Sequence, residues 1–394
     1  MKREKYLLLG ILVFVVPFSL MAISLFDYTV TETYFQEAYL NGNFNFNSGN
    51  QDQASYNGAG FATYKTQYST LPLTWKLNSD ASYSFLRGSN DGDTLRTGYQ
   101  ITLNTDADKY FGKNKIFAYG SLNFGSKKEI GNENADKPFS KIGIGGGYGR
   151  VYDATSLART MMYIDDLKKY GIVTKSLSDE AYLNLAKIIA KEDEYKAKYG
   201  TIEYKKYWFE DMEKILSKEG VLKNDHLSAL GVMRMEDVLN RNVNPRRHGW
   251  SIRSGIGYVF SNYDDSDSDP SLDVRFEYAL PFKYYFQLIE QMDYSTVLGD
   301  NTTQLITNNL SVSYQLTDKI NWENSWIATI TIPSDKDAKN VFTNTFTSAY
   351  YYYIANHISL NTTLQLAKID DGIDNNNNDE MTTTLSLGIQ YRIK

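Results

Sequence analysis

The sequence predicts an all-β transmembrane antiparallel β-barrel of about 14 strands (roughly 12–16) with an α-helical periplasmic insertion. Three observations lead to this fold class. Apolar and polar residues alternate over long segments on both sides of the middle of the chain. The connections between these segments alternate between long and short. The middle itself has the spacing of amphipathic helices and interrupts the strand pattern.

The first 24 residues are predicted to be a signal peptide. The stretch "MKREKY" supplies a basic start, "LLLGILVFVVPF" is an apolar run, and small residues follow at Ala22 and Ser24, where cleavage is expected. This is the usual layout of a secretory signal. An uncleaved membrane anchor is the alternative, but the apolar run is short for a full membrane span.

The strands are predicted from strict alternation. In "NNLSVSYQLTD", Leu310, Val312 and Tyr314 alternate with Ser311 and Ser313, as in a strand with one apolar and one polar face. Many of these segments reach about ten residues, which is the length that a tilted strand needs to cross a bilayer. The predicted strands are about 35–47, 56–68, 72–86, 94–105, 115–125, 139–150, 250–262, 271–281, 283–296, 303–316, 319–332, 341–354, 357–368 and 381–393.

The connections separate two ends of the predicted barrel. Hydrophilic connections such as "NSGNQDQAS" and "DDGIDNNNND" follow the odd-numbered strands, and most connections after even-numbered strands are short, such as "STLP" and "LTDK". Transmembrane barrels have long outer loops and short periplasmic turns. The chain is therefore divided into a first barrel half (25–150, about six strands), a helical insertion (151–249) and a second barrel half (250–394, about eight strands).

These features together resemble the outer-membrane β-barrel proteins of Gram-negative bacteria, of the porin-like class, without indicating a specific family. The resemblance also includes Tyr350 to Tyr353, which could form an aromatic girdle, whereas the end "YRIK" departs from the terminal aromatic residue that is frequent in that class. It implies an outer-membrane location in a Gram-negative-type bacterium, with membrane lipid as a partner. A secreted soluble β-sandwich or barrel is the alternative, and it would need shorter strands and polar outer faces.

The insertion is predicted to be a periplasmic helical module. Ser178 or Ser176 has the position of a helix N-cap, and Gly171, Gly200 and Gly220 stand where helices are expected to stop. A faint repeat relates "DLKKYGIV" to "ILSKEGVL" 49 residues later. The module could plug the lumen, cap it, or bind a periplasmic protein or peptidoglycan. The candidate docking patch consists of Tyr204, Tyr207, Trp208 and Phe209.

The polar strand faces predict a wet lumen with charges of both signs. This pattern is typical of a channel lining, although a closed barrel filled by a polar network is the alternative. The main functional hypothesis is a channel for small polar solutes, and the alternative is a membrane anchor with a docking insert. The lumen-lining candidates are Glu37, Arg96, Arg253, Asp273, Arg275, Glu277, Asp293, Glu323 and Arg392.

No catalytic centre or cofactor is expected from the sequence. The chain has no Cys, and its three His residues do not accompany a plausible Ser nucleophile. The glycines of "GIGGGYGR" lie within a predicted strand, which indicates close packing or a bend where the insertion leaves the barrel, and not a dinucleotide site. A net charge of -6 argues against nucleic-acid binding. Asp265, Asp267 and Asp269 are weak candidates for Ca²⁺ ligands, with a solvated acidic loop as the alternative.

Overall fold

The computed structural model describes residues 23–30, 32–112, 115–263, 268–299, 302–335, 337–373, 376 and 380–393. The predicted signal peptide up to residue 22 lies outside these ranges. No helix in the described part of the chain is long and apolar enough to cross a membrane.

Fourteen antiparallel strands form a closed barrel in which each strand pairs with its sequence neighbours and β1 pairs with β14. Most strand ends lie within three residues of the predicted ones, and β4 is the main exception because it continues to Tyr110. The predicted fold class is confirmed. The strands are β1 (Thr33–Asn47), β2 (Ser55–Ser69), β3 (Leu73–Arg87), β4 (Arg96–Tyr110), β5 (Ile116–Lys128), β6 (Phe139–Asp153), β7 (Arg247–Ser261), β8 (Pro270–Phe282), β9 (Phe286–Val297), β10 (Gln304–Thr317), β11 (Ile320–Ile332), β12 (Val341–Ala355), β13 (Ile358–Asp370) and β14 (Thr382–Arg392).

The outer face of the barrel is predominantly apolar. Outward side chains such as Ile101 and Leu387 keep 41% and 74% of their surface uncovered by protein, as lipid-facing residues do. Tyr350 and Tyr352 also point outward, but Tyr353 points inward and binds Asn321. Only alternate residues of the predicted tyrosine girdle therefore face lipid, because successive strand residues point to opposite faces. A soluble barrel would require a polar outer surface instead.

The two ends of the barrel differ as predicted. Connections at one end span six or more residues, and those at the other end are as short as residues 318–319 and 356–357. The helical insertion joins β6 to β7 at the end with the short turns, which corresponds to the periplasmic end.

The insertion contains four helices, α1 (Thr155–Lys169), α2 (Asp179–Ile189), α3 (Glu192–Lys218) and α4 (Ala229–Asn240). It spans residues 154–246 and not the predicted 151–249, because Asp153 and Arg247 are already paired across β6 and β7. Gly200 interrupts α3 as the sequence predicts: its φ of 78° and ψ of 163° are non-helical and form a kink between two helical segments of α3.

The faint sequence repeat corresponds to two helix–loop–helix units that contact each other. α1 ends before Gly171 and α3 before Gly220, and both glycines have positive φ. The loops that follow are joined by an antiparallel bridge between Val173 and Leu222. Each loop leads to a serine N-cap, Ser178 for α2 and Ser228 for α4. The sequence repeat therefore corresponds to two similar helix–loop–helix units whose loops pair with each other.

The start of the chain belongs to the core of the insertion and not to the barrel, although residues 25–150 were assigned to the barrel. Ile23, Leu25 and Tyr28 are buried among the side chains of the four helices. The Tyr28 carbonyl also lies 2.9 Å from His248 Nε2 on β7, where the His248 ring stacks on Tyr152. Because β1 and β7 lie on opposite sides of the barrel, this segment crosses the periplasmic mouth.

Candidate functional site in the barrel lumen

A glycine-lined stretch of wall brings distant strands together inside the lumen. Gly145 on β6 is paired with Gly255 on β7, and their inner faces carry the ring of Tyr119 from β5. A Cβ atom at Gly145 would lie 2.3 Å from the Ser254 carbonyl oxygen and 2.7 Å from the Tyr119 ring. The glycines of "GIGGGYGR" therefore have the close-packing role that strand glycines often have.

Ion pairs cross the lumen on the periplasmic side of this glycine stretch. Arg253 on β7 contacts Asp106 on β4 at 2.5 Å, and Lys76 on β3 contacts Glu277 on β8 at 3.0 Å. Four strands separate β3 from β8, which amounts to about 24 Å of wall. The two side chains are too short to contact each other around a wall of that length. Their ion pair therefore crosses the interior of the barrel.

The ion pairs form a connected network. Arg253 also lies 3.5 Å from Asp108, and Arg275 contacts both Asp106, at 3.3 Å, and Asp293. A small polar cavity of about 110 Å³ is lined by Asp106, Asp108, Arg253 and Arg275, and also by Lys76 and Glu277. The network narrows the lumen along the wall formed by β3 to β9.

A second cluster lies closer to the outer end of the barrel. Lys141 Nζ on β6 lies 2.6 Å from Asp273 on β8, and the same carboxylate oxygen accepts a hydrogen bond of 2.6 Å from Ser295. The inward charges therefore follow the lumen from its periplasmic third to its outer third as compensated pairs.

The segment that follows α4 forms hydrogen bonds with the barrel wall at its periplasmic end. Asn242 donates to Tyr353 on β12 at 3.0 Å, and Asn244 donates to Glu323 on β11 at 2.6 Å. Arg246 is 1% exposed and donates to the carbonyl oxygens of Tyr284 and Asn244 at 2.8 and 2.9 Å. Burial lowers the pKa of Arg246 to about 10. Residues 242–246 are called the latch segment below.

The structure places the remaining lumen candidates at the two ends of the barrel. Glu37 points inward near the periplasmic end of β1, and Arg392 donates to the Asn240 carbonyl at 3.3 Å, at the end of α4. Arg96 is exposed at the outer end of β4. Six candidates take part in the contacts above, namely Arg253, Asp273, Arg275, Glu277, Asp293 and Glu323.

Several inward-facing charged residues are absent from the lumen candidates predicted from the sequence. The alternation of polar and apolar residues along their strands indicates that they point inward. Asp106 and Asp108 follow β4 beyond its predicted end, so they were assigned to a connection. Lys76 and Lys141 lie on the polar faces of β3 and β6. By contrast, no sequence pattern indicates which of these charges meet across the lumen.

The four aromatic residues of the predicted docking patch do not form an exposed surface. Tyr204 and Trp208 are 6% and 2% exposed and belong to the core of the insertion, where Trp208 donates to the Ile188 carbonyl at 2.8 Å. Tyr207 and Phe209 are partly exposed. Residues 204 and 208 are one helical turn apart, so the same face of α3 packs against α2.

Of the three weak calcium candidates, only Asp269 lies among the described residues. Asp265 and Asp267 lie outside the described residues, and the Asp269 carbonyl accepts a backbone hydrogen bond from Val259. Among the described residues, no group of three potential metal ligands is present.

Comparisons with known proteins return barrel structures and no family. No protein-family model matches the chain, and no curated protein matches it. An outer membrane channel from Pseudomonas putida F1 is 9% identical with a TM-score of 0.33, covering 92% of this chain and 95% of that chain. A BenF-like porin from Pseudomonas fluorescens Pf-5 is 7% identical with a TM-score of 0.30, covering 92% and 98%. These scores are too low to carry an argument about this chain.

The assignment of class therefore depends on the molecule itself. A closed antiparallel barrel satisfies the backbone hydrogen bonds of membrane-spanning strands, and here it combines an apolar outer belt with a polar lumen. These are the properties of an outer-membrane β-barrel protein of channel-like fold. Long loops at one end and short turns at the other give its orientation in the outer membrane.

Proposed function

We propose that this protein is an outer-membrane channel for small polar solutes and that its helical insertion caps the periplasmic mouth. The proposal places no catalytic step in the lumen. The insertion would control access to the lumen from the periplasm, and the charged network would select among solutes.

The observation that carries the channel role is the solvated polar lining of a wide barrel. Inward side chains on separate strands remain exposed, among them Asn78, Asn104, Asn309 and Gln365. Small barrels of eight strands are filled by side chains, whereas barrels of 16–18 strands leave aqueous channels. With 14 strands and exposed inward amides, this barrel is closer to the open type.

The latch segment supports the cap role. Its two asparagines bind side chains of different strands, and Arg246 inserts a buried cation between the latch segment and the β8–β9 turn. A module tethered only by its chain ends would not need such contacts. The hydrogen bonds to Glu323 and from Arg246 are of the charged kind, which contribute about 1.5–3 kcal/mol each.

Ion conductance of the purified protein in planar bilayers tests both roles. The first variant replaces residues 154–246 with Asn-Gly, which can connect Asp153 and Arg247 because these residues are already paired and a two-residue turn suits a hairpin. The second variant, Asn242→Ala with Asn244→Ala, weakens the latch segment and keeps the helices. Asn224→Ala, in an exposed loop of the insertion, is the matched control.

Conductance should rise in both variants and stay at the wild-type value in the control. If no variant conducts while all of them remain folded barrels, the channel role is excluded. If conductance is high in the wild-type protein and is unchanged by either variant, the barrel is a channel but the insertion is not its cap.

A docking role for the insertion is the alternative, and exposed apolar side chains favour it. Ile202 is 91% exposed, and Leu230 and Met233 on α4 are 46% and 67% exposed. In that case the barrel would be an anchor, and a periplasmic protein or peptidoglycan would bind the helices. Loss of such binding in Ile202→Ser or Met233→Ser, with unchanged conductance, would favour docking over capping.

A further inference from the structure

The barrel is closed by an incomplete seam between β1 and β14. Register pairs join only residues 39–42 of β1 to residues 389–392 of β14, with a further backbone bond from Ile393 to the Ala38 carbonyl. Every other pair of neighbouring strands is joined over at least ten register pairs. The seam is therefore paired in its periplasmic half and unpaired in its outer half.

The unpaired halves are exposed strand edges. Residues 43–47 of β1 and 382–388 of β14 all lie in the described part of the chain, and none of them is paired across the seam. Phe44 and Leu387 are 62% and 74% exposed on the outer side. Bare backbone groups in hydrocarbon cost several kcal/mol each, so lipid tails alone cannot fill this opening.

The two edges are nevertheless complementary. Extending the observed register pairs Asn43 with Gly388 and Asn45 with Ser386 on the inner side, and Phe44 with Leu387 on the outer side. Polar residues would meet polar or small ones inside, and apolar residues would meet outside, as a membrane barrel requires. The opening can thus close by continuing the existing ladder without a shift of register.

We propose that this seam is a lateral gate that admits an amphiphile, with a hydrogen-bonding head and an apolar chain, between the outer leaflet and the lumen. The gate opens toward the outer half of the membrane because its periplasmic half is held by the paired residues. This role goes beyond the passage of polar solutes along the lumen.

The chemistry of the opening selects such a molecule. Its outer rim is apolar, with Phe44, Phe46, Leu385 and Leu387 exposed. On the inner side, the side-chain oxygen of Asn361 is buried and has no hydrogen-bond partner, and Asn361 stands beside the seam because it pairs with Gly388. A head group with hydroxyl or amine donors can satisfy this acceptor while its chain stays between the apolar rim residues.

The shape of the opening disfavours an added β-strand as the occupant. A strand that bridges two edges needs the same spacing along its whole length, since neighbouring strands lie about 4.8 Å apart. Here the edges are joined at Gly42 and Ile389, and no register pair follows beyond that point. An opening that is closed at one end fits a head group and chain better than an extended peptide.

The chain has no cysteine, so disulfide trapping is a clean test. Asn45→Cys with Ser386→Cys places two thiols that meet only when the outer half of the seam is closed, since disulfides need Cα atoms about 4.4–6.8 Å apart. The control is Asn41→Cys with Gln390→Cys, a pair already in register in the closed half. The probe is a monoacylglycerol with a photoreactive diazirine next to its glycerol head group, incorporated into vesicles with the protein.

Both pairs should oxidise. Photolabelling of the segment around Asn361 should be lost in oxidised Asn45→Cys/Ser386→Cys, return on reduction, and persist in the oxidised control. Ion conductance should be the same in all forms, which separates the gate from the channel role. Equal labelling with the seam locked and unlocked would overturn the proposal. So would failure of residues 45 and 386 to oxidise where the control pair does, and so would the absence of labelling at Asn361 in the unlocked protein.

Discussion

Lys76 and Glu277 form an ion pair of 3.0 Å although they stand on β3 and β8, which have four other strands between them in the barrel wall. The Glu277 side chain is 11% exposed and the Lys76 side chain 25%. The pair links two walls of the lumen and lies beside Asp108 and Arg247 at the polar cavity. It therefore contributes to the stability of the barrel and to the charge of its lumen.

Glu277→Gln should change both properties. Loss of the charged hydrogen bond should lower the free energy of unfolding by about 1.5–3 kcal/mol, measured by urea titration in lipid vesicles. Removal of a negative charge from the lumen should also lower the ratio of cation to anion permeability, measured as a reversal potential. Glu290→Gln is the control, since Glu290 stands on the outer face beside Tyr278 and Leu310. An equal change of permeability in both variants would contradict a role of Glu277 in the lumen.

The glycine-lined wall predicts different effects at two adjacent positions. Gly145→Val should destabilise the barrel by about 1–3 kcal/mol, because its side chain collides with the Ser254 carbonyl and the Tyr119 ring. At Gly146→Val the nearest atom to the new Cβ lies 3.5 Å away, so this variant should fold like the wild type. Heat-modifiability on gels and urea titration would measure the difference, and equal stability of the two variants would refute the close packing.

The lipid-facing belt predicts an opposite response at neighbouring residues of β4. Ile101→Arg should cost about 2–4 kcal/mol of folding free energy in vesicles, since Ile101 faces the hydrocarbon. Thr102→Arg points into the wet lumen and should be tolerated. The measurement is the urea midpoint of vesicle-inserted protein. A similar loss at both positions would argue against the assigned faces.

Alkaline pH should unfold the helical insertion before it unfolds the barrel. Burial, with help from Asp165, raises the pKa values of Tyr182 and Tyr284 to about 12. The unfolded value is about 10, so this contribution to stability is complete below pH 10 and is lost as the pH rises from about 10 to 12. Protease sensitivity of the insertion, followed with tyrosinate absorbance, should increase in that range.

Tyr182→Phe removes one of the titrating groups and should shift the unfolding of the insertion to higher pH. Tyr170→Phe, at a side chain that is 45% exposed, is the control and should leave the profile unchanged. Unfolding at the same pH in the wild type and in Tyr182→Phe would show that this tyrosine does not govern the transition.

The barrel could be predicted from the sequence because the inner and outer faces of each strand follow from residues within that strand. In β10 the alternation of Val312 and Ser313 distinguishes the two faces, and the lengths of the loops can likewise be read directly from the sequence. The extent of β4 was underestimated because Asp106 and Asp108 interrupt the expected composition of a strand end. These residues remain in the strand because their charges are compensated by Arg253 from another part of the barrel.

The candidate site was predictable only in part, for a physical reason. Inward orientation follows from alternation, but contacts across the lumen depend on how the barrel is shaped, as the Lys76–Glu277 pair shows. The docking patch illustrates the same limit for helices. Tyr204 and Trp208 suit an exposed binding face or a core equally well by spacing alone, and the packing of α2 on α3 decides for the core.

Residues 23–28 give the helical insertion a third attachment to the barrel, in addition to its two chain ends. Tyr28 and Leu25 are part of the helical core, while β1 begins at Thr33 on the far side of the mouth. The helices are therefore tethered at three points, by the two ends of the insertion and by this strap, which spans at most about 18 Å from Tyr28 to Thr33. After a single proteolytic cut within the insertion, both fragments would remain attached to the barrel.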